Sequence, residues 1–171
     1  MVWTNAPLIV HHGTDGAGAN GIVTSGINLA VCRPYADFGR GFYVTSSLHQ
    51  AQQWANLTAL RAPPPPGGSQ SRAAVLTFNL DRDAAGDLND HLAFVLPSRE
   101  FFDFVDYNRL GSLTHARGGG VPYDLVYGPV AAYPQALIFM NCDQICLLSS
   151  AALGVLSGPT AVPAYGTPLF P

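Results

Sequence analysis

The chain has 171 residues, enough for one domain with a sizeable core, and 48% of them are hydrophobic while only 11% are charged. Its net charge is −3, all eight basic residues are arginine, and no basic run tracks a phosphate backbone, so a nucleic-acid partner is not supported. Three cysteines, Cys32, Cys142 and Cys146, cannot all pair internally and lack zinc-ligand spacing; this favours a reducing, cytoplasmic setting without a metal.

In chain order, residues 6–12 read as a strand around Leu8, Ile9 and Val10, ended by Gly13. Glycine-rich polar chain follows to Asn20, then a helical turn over 21–26 and a short strand over 27–31. Next comes Asp37-Phe38-Gly39-Arg40-Gly41-Phe42-Tyr43-Val44-Thr45. Its two glycines permit unusual backbone and close approach of a ligand, and Phe42 and Tyr43 face opposite sides of the strand they enter. Ser46 and Ser47 are N-cap candidates for a helix over 48–60, with Leu48, Ala51, Trp54, Ala55 and Thr58 at helical spacing. Residues 62–71 hold four consecutive prolines and read as a stiff surface loop.

Residues 73–80 are a strand, 81–90 a turn or loop, and 92–96 a short strand or the approach to a helix. That helix runs from Pro97-Ser98 to Arg109, burying Phe101, Phe102, Val105 and Leu110. A glycine-rich loop spans 111–122, and 123–127 is a strand closed by Gly128-Pro129. Residues 131–140 read equally as strand or helix; 144–148 is an apolar strand and 150–156 a capped helix. The proline-bearing stretch 158–171 reads as a mobile tail. No apolar run reaches membrane-span length and no signal peptide is evident. Short strands among few helices give an α+β domain.

Three pieces stand out together: His12-Gly13-Thr14 at a strand end, residues 37–45, and Asp143-Gln144-Ile145 entering a late strand. In this order they resemble the ADP-ribosyltransferase superfamily, in its poly(ADP-ribose)-polymerase-like branch with a His-Tyr-Glu triad. The longer pattern, from His11-His12-Gly13-Thr14 through Asp143-Gln144, is similar to a small bacterial and fungal family of a domain of unknown function assigned to that fold. The resemblance covers about residues 8–156 and implies one such domain over 1–157, with split β-sheets flanking an NAD cleft.

The resemblance implies that His12 bonds a ribose hydroxyl of NAD, the co-substrate. Gly13 offers its backbone to the nicotinamide amide, Thr14 supports that loop, and Tyr43 stacks on the nicotinamide ring. Arg40, with Gly41 and Phe42 beside it, is within the same cofactor-binding stretch and reads either as a ligand of the NAD phosphates or as an exposed loop arginine. Gln144 stands where the superfamily places its catalytic glutamate. An amide can accept from the ribose 2′-hydroxyl but supplies neither a base nor a full negative charge. Asp37 either caps the turn into Gly39 or supplies the missing carboxylate. His11 is structural, Arg109 suits a helix C-terminus or a phosphate, Tyr127-Gly128-Pro129 forms a cleft wall or a turn, and Glu100 complements a helix dipole.

The implied activity is an NAD-dependent ADP-ribosyltransferase acting on a macromolecule, rather a protein than nucleic acid. An NAD glycohydrolase and a non-catalytic NAD- or ADP-ribose-binding module remain as alternatives. A toxin or effector role, with delivery to another cell, is in keeping with the resemblance.

Overall fold

A computed structural model describes residues 5–64, 66–111, 122–162 and 168–171. These form an α+β unit with two sheets. The elements in order are β1 (Leu8–Asp15), α1 (Gly16–Ser25), a 3-10 turn (Leu29–Val31), β2 (Phe42–Val44), α2 (Leu48–Arg61), β3 (Ala73–Leu80) and α3 (Arg82–Gly86). Then follow β4 (His91–Ala93), α4 (Arg99–Arg109), β5 (Leu125–Ala131), β6 (Ile138–Leu147), α5 (Ser150–Leu153) and β7 (Leu156–Val162). One sheet has the order β1-β3-β7, all antiparallel; the other has β2-β6-β5-β4, with only β4 and β5 parallel. Among the described residues a single bridge joins the sheets: His11 and Thr45 exchange two backbone bonds of 2.8 and 2.9 Å.

β3 shows why these sheets form where they do. Its alternating side chains are apolar on both faces: Leu76, Phe78 and Leu80 enter the core between the sheets, while Ala73 and Val75 meet α2. α2 starts at Ser47, whose hydroxyl accepts from the Gln50 N–H at 3.2 Å. It packs through Ala51, Ala55 and Ala59, a stripe of small residues; Leu48 and Trp54, expected on that buried face, are 40% and 51% exposed. Small side chains bring the helix axis close to β1. A Cβ at Gly13 would lie 2.0 Å from the Ala51 carbonyl oxygen, so no other residue fits there without moving the helix.

Beside the second sheet, α4 is capped by Ser98 and buries Phe101, Phe104, Val105 and Asn108. Phe104 takes the place expected for Leu110, which lies beyond the last turn and is 79% exposed. Phe38 sits at the centre of this aromatic cluster, edge-on to Phe101 at 6.3 Å and near Phe94 and Phe104.

Several boundaries differ from the sequence reading. β1 continues through Gly13 to Asp15. The glycine-rich stretch after it is helical, because Asp15 caps it by accepting from the Gly18 N–H at 2.8 Å and Gly26 ends it at φ 81°. The strand expected over 27–31 is the 3-10 turn, started by the Asn28 side chain bonding the Ala30 N–H. Asp81 likewise caps α3 within the expected loop. β5 continues through Gly128-Pro129 to Ala131, with a register shift against β6 between Pro129 and Ala131; β4 pairs no further than Tyr127, so the missing N–H of Pro129 costs no ladder bond on that side. β6 begins six residues earlier than expected and settles residues 138–140 as strand. α5 stops at Leu153, and the next residues, 156–162, form β7 along β3 rather than a tail. Phe170 is buried against α2, with Asn56 bonding its N–H and C=O at 2.8 and 3.0 Å. The expected loop over 111–122 lies mostly outside the described residues.

Candidate active site

Where β1 and β2 part beyond the His11–Thr45 bridge, a cleft of about 1040 Å³ opens between the sheets. That is large enough for an extended dinucleotide-sized ligand. His12 of β1, Tyr43 of β2 and Gln144 of β6 all line it.

His12 projects from the β1 face that holds Val10 and meets the Phe42 ring at 4.3 Å. Its Nδ1 lies 2.7 Å from the Tyr43 carbonyl oxygen. A carbonyl only accepts, so Nδ1 carries the proton and Nε2 of the neutral ring keeps its lone pair. Burial lowers the His12 pKa below the ordinary 6.5, the bond to Tyr43 opposing in part. His12 is therefore a neutral acceptor at neutral pH. Gly13 presents its backbone instead of a side chain. In an antiparallel strand alternate residues turn their N–H and C=O groups the same way, so those of Gly13, like those of His11, point away from β3. At Gly13 β2 has already diverged, which leaves the pair at the cleft edge. Thr14 tucks its hydroxyl against the α1 backbone at Gly18 and also lines the cleft.

Tyr43 holds the preceding turn. Its hydroxyl donates to the Gly39 carbonyl at 2.8 Å and accepts from the Phe38 N–H at 2.9 Å. Burial raises its pKa well above 10, so it stays neutral. Gly39 uses the freedom expected of it, at φ 84°. Gly41 lines the cleft, and a Cβ there would meet the Cys146 sulfur at 2.4 Å, so its bare backbone also lets the chain pass close over β6. Phe42 is 3% exposed and belongs to the core, touching the cleft only at its wall beside His12. Arg40 is not part of the lining; it donates to the Ala30 carbonyl at 3.1 Å.

Gln144 is buried, and its amide is fully used on one side. Nε2 donates to Asp37 Oδ2 at 2.7 Å and to the Pro129 carbonyl at 2.9 Å. Asp37, 2% exposed, also accepts from the Ala131 N–H at 2.9 Å. Its other oxygen takes Nε and Nη2 of Arg109 at 2.9 and 2.6 Å. Asp37 is thus neither a simple turn cap nor a group open to ligand. Arg109 lines the cleft as well; it pairs with Asp37, donates to the Tyr35 carbonyl at 3.2 Å and lies 5.3 Å from the Tyr133 ring centre.

Two further lining residues carried no signal in the sequence. Arg33, exposed, and Trp54 of α2, half exposed, both line the cleft. A second network fixes the sheet junction. The Gln50 side chain bonds both N–H and C=O of Asp143, and the Asp143 carboxylate accepts from the Thr45 hydroxyl at 2.6 Å. Gln144 thus follows a residue whose backbone and carboxylate are both fixed.

A family described as a protein of unknown function, DUF3990, matches residues 8–142. The span takes in His12 to Thr14 and all of 37–45, and ends two residues before Gln144. No curated protein matches the chain.

Proposed function

We propose that the chain, which belongs to the DUF3990 family of unknown function, is an NAD-dependent ADP-ribosyltransferase with a protein acceptor. The observation that carries the proposal is the convergence of His12, Tyr43 and Gln144, from three strands of two sheets, on one dinucleotide-sized cleft. His12 Nε2 and Gln144 Oε1 are both neutral acceptors, which suits a ligand that brings hydroxyl donors, such as the nicotinamide ribose. The Gly13 N–H and C=O pair matches the C=O and NH₂ of a carboxamide. Arg33 on the rim supplies a cation for the diphosphate.

In this reading the C1′–N bond breaks, nicotinamide leaves neutral with the bonding pair, and the ribose passes through an oxocarbenium-like state before the acceptor's lone pair forms the new bond at C1′. The chain contributes orientation of the ribose and a partial negative charge beside it. With −3 net charge and no lysine, the surface suits a protein acceptor better than a nucleic acid. Incubation with NAD labelled in the adenylate half, together with cell lysate, is expected to transfer label to protein, and His12→Ala to abolish it. Intact NAD and unlabelled protein after prolonged incubation count against the proposal.

The amide at 144 favours a second reading. Without a carboxylate base, water or no acceptor at all takes the place of a protein side chain. Free ADP-ribose forming in the absence of lysate supports hydrolysis, and calorimetric binding of NAD without nicotinamide release supports a binding module.

A further inference from the structure

The cleft holds a glutamine where charge stabilisation is wanted, and the structure puts a buried carboxylate directly behind it. Both hydrogens of Gln144 Nε2 are taken, one by Asp37 and one by the Pro129 carbonyl. Turning the amide over would set Oε1 against two acceptors, a carboxylate and a carbonyl, and strand Nε2 in the cleft. The orientation is therefore forced, and Oε1 is the atom left toward the ligand space. A donor held at 2.7 Å from an anion is a charge-assisted bond, shorter and stronger than a neutral one. It draws the amide toward its charge-separated form, with positive character on nitrogen and negative character on oxygen. Arg109 makes this affordable for the fold, because a carboxylate 2% exposed needs a cation and several donors to remain buried. Arg109 sits on Oδ1, whereas Gln144 takes Oδ2, so the second oxygen faces the amide.

We propose that Asp37 is a positioning residue for the reaction: it fixes Gln144 with Oε1 toward the cleft and polarises the amide, so that Oε1 presents part of the charge of a carboxylate. This rests on the reading of the cleft as an NAD-cleaving site. Arg109 serves as the counter-ion of Asp37 and acts on Gln144 only through it. The corollary inverts the usual expectation for this position. An ionised glutamate at 144 would face Asp37 and the Pro129 carbonyl with no hydrogen to offer, and a protonated one would have a single hydrogen for two acceptors and no charge for the cleft.

The test uses the full chain and two readouts. The first is side-chain amide exchange in protein labelled with ¹⁵N-glutamine, without NAD, the Gln144 signal being assigned by its loss in Gln144→Glu. The second is nicotinamide release from NAD, with kcat and KM separated. The wild-type Gln144 amide is expected to exchange at least about tenfold more slowly than the exposed glutamine amides, and Asp37→Asn to remove most of that protection. Asp37→Asn is expected to lower kcat about tenfold or more while KM stays within about threefold, since the charge is felt in the transition state rather than in binding. Gln144→Glu is expected to be slower than wild type. If Asp37→Asn does not fold, the wild-type exchange rate and the Gln144→Glu rate still decide. A freely exchanging Gln144 amide, a faster Gln144→Glu enzyme, or an Asp37→Asn enzyme with unchanged kcat overturns the positioning role while leaving NAD cleavage standing. A wild type that binds NAD but releases no nicotinamide overturns both.

Discussion

The two walls of the cleft are held by different forces. On the β1 side, Gly13 and the alanines of α2 bring backbones together with almost no side chain between them, and His12 stands on that steric platform. On the β6 side, Gln144 is held by hydrogen bonds to a carbonyl and to a carboxylate that is itself paired with Arg109. A close-packed wall tolerates no added volume, whereas a polar wall tolerates no unbalanced charge. Mutations should therefore damage the two walls by separate routes.

Adding one carbon to the first wall is the largest test. Gly13→Ala sets a Cβ 2.0 Å from the Ala51 carbonyl oxygen, a backbone atom that yields only if α2 shifts. We expect a loss of about 3 kcal/mol. For a chain of this size that is a fall in Tm of roughly 6–12 °C by calorimetry. A near-native Tm breaks the account of a steric wall.

The second wall is tested by Arg109→Met. It leaves the Asp37 carboxylate buried without its cation, and because Arg109 is itself 27% exposed we expect about 2 kcal/mol rather than the full cost of breaking a buried pair. Asp37→Asn combined with Arg109→Met is expected to lose less than the two singles added together, by about 1 kcal/mol or more in urea unfolding. Strict additivity would mean that the pair is not coupled.

Asn56→Ala sharpens the contrast within the first wall, by removing both bonds to the Phe170 backbone. A loss of about 1 kcal/mol is expected, with no change in NAD affinity.

The smallest effect is in pH. Burial lowers the His12 pKa below 6.5, so in the window under 6.5 the unfolded chain binds more protons than the folded one. Stability from a neutral His12 is thus complete above that value and is lost as pH falls through the lowered folded pKa. Urea midpoints at about pH 7.5 and 5.5 should differ more for wild type than for His12→Gln. The burial of His11 also lowers its pKa and adds to the same slope in both proteins.

What the sequence made legible follows the range of the interactions. β3 and α2 are strong local patterns, alternation over 73–80 and a serine-capped helix after 47, and both stand nearly where they were expected. Only the second half of α1 was legible, as the helical turn over 21–26; glycines mask its first half, although its Asp15 cap and its Gly26 stop are the signals that mark it. β7 was hidden because Gly158 and Pro159 read as breakers, yet an edge strand accepts both. The site divides in the same way. His12, Tyr43 and Gln144 were found through their motifs, and all three line one cleft. The partners that hold Gln144 could not be found: Asp37 lies 107 residues from it and 72 from Arg109, and no spacing rule joins residues that meet only after two sheets have formed. Of the two readings of Arg40 the structure places it as the exposed loop arginine, outside the cleft lining and donating from Nη1 to the Ala30 carbonyl.

The single bridge between the sheets determines how the molecule can be cut. Among the described residues β2 has one ladder partner, β6, which also carries Gln144, and the family match ends inside that strand. A fragment stopping at residue 142 would keep every residue of the His12 and Tyr43 motifs and still lose the whole β6 ladder that holds Tyr43 in place, since the partners of β2 are residues 145–147. The smallest piece able to act is therefore larger than the piece that can be recognised, and an expression fragment should be drawn around β6 and β7 rather than around the motif.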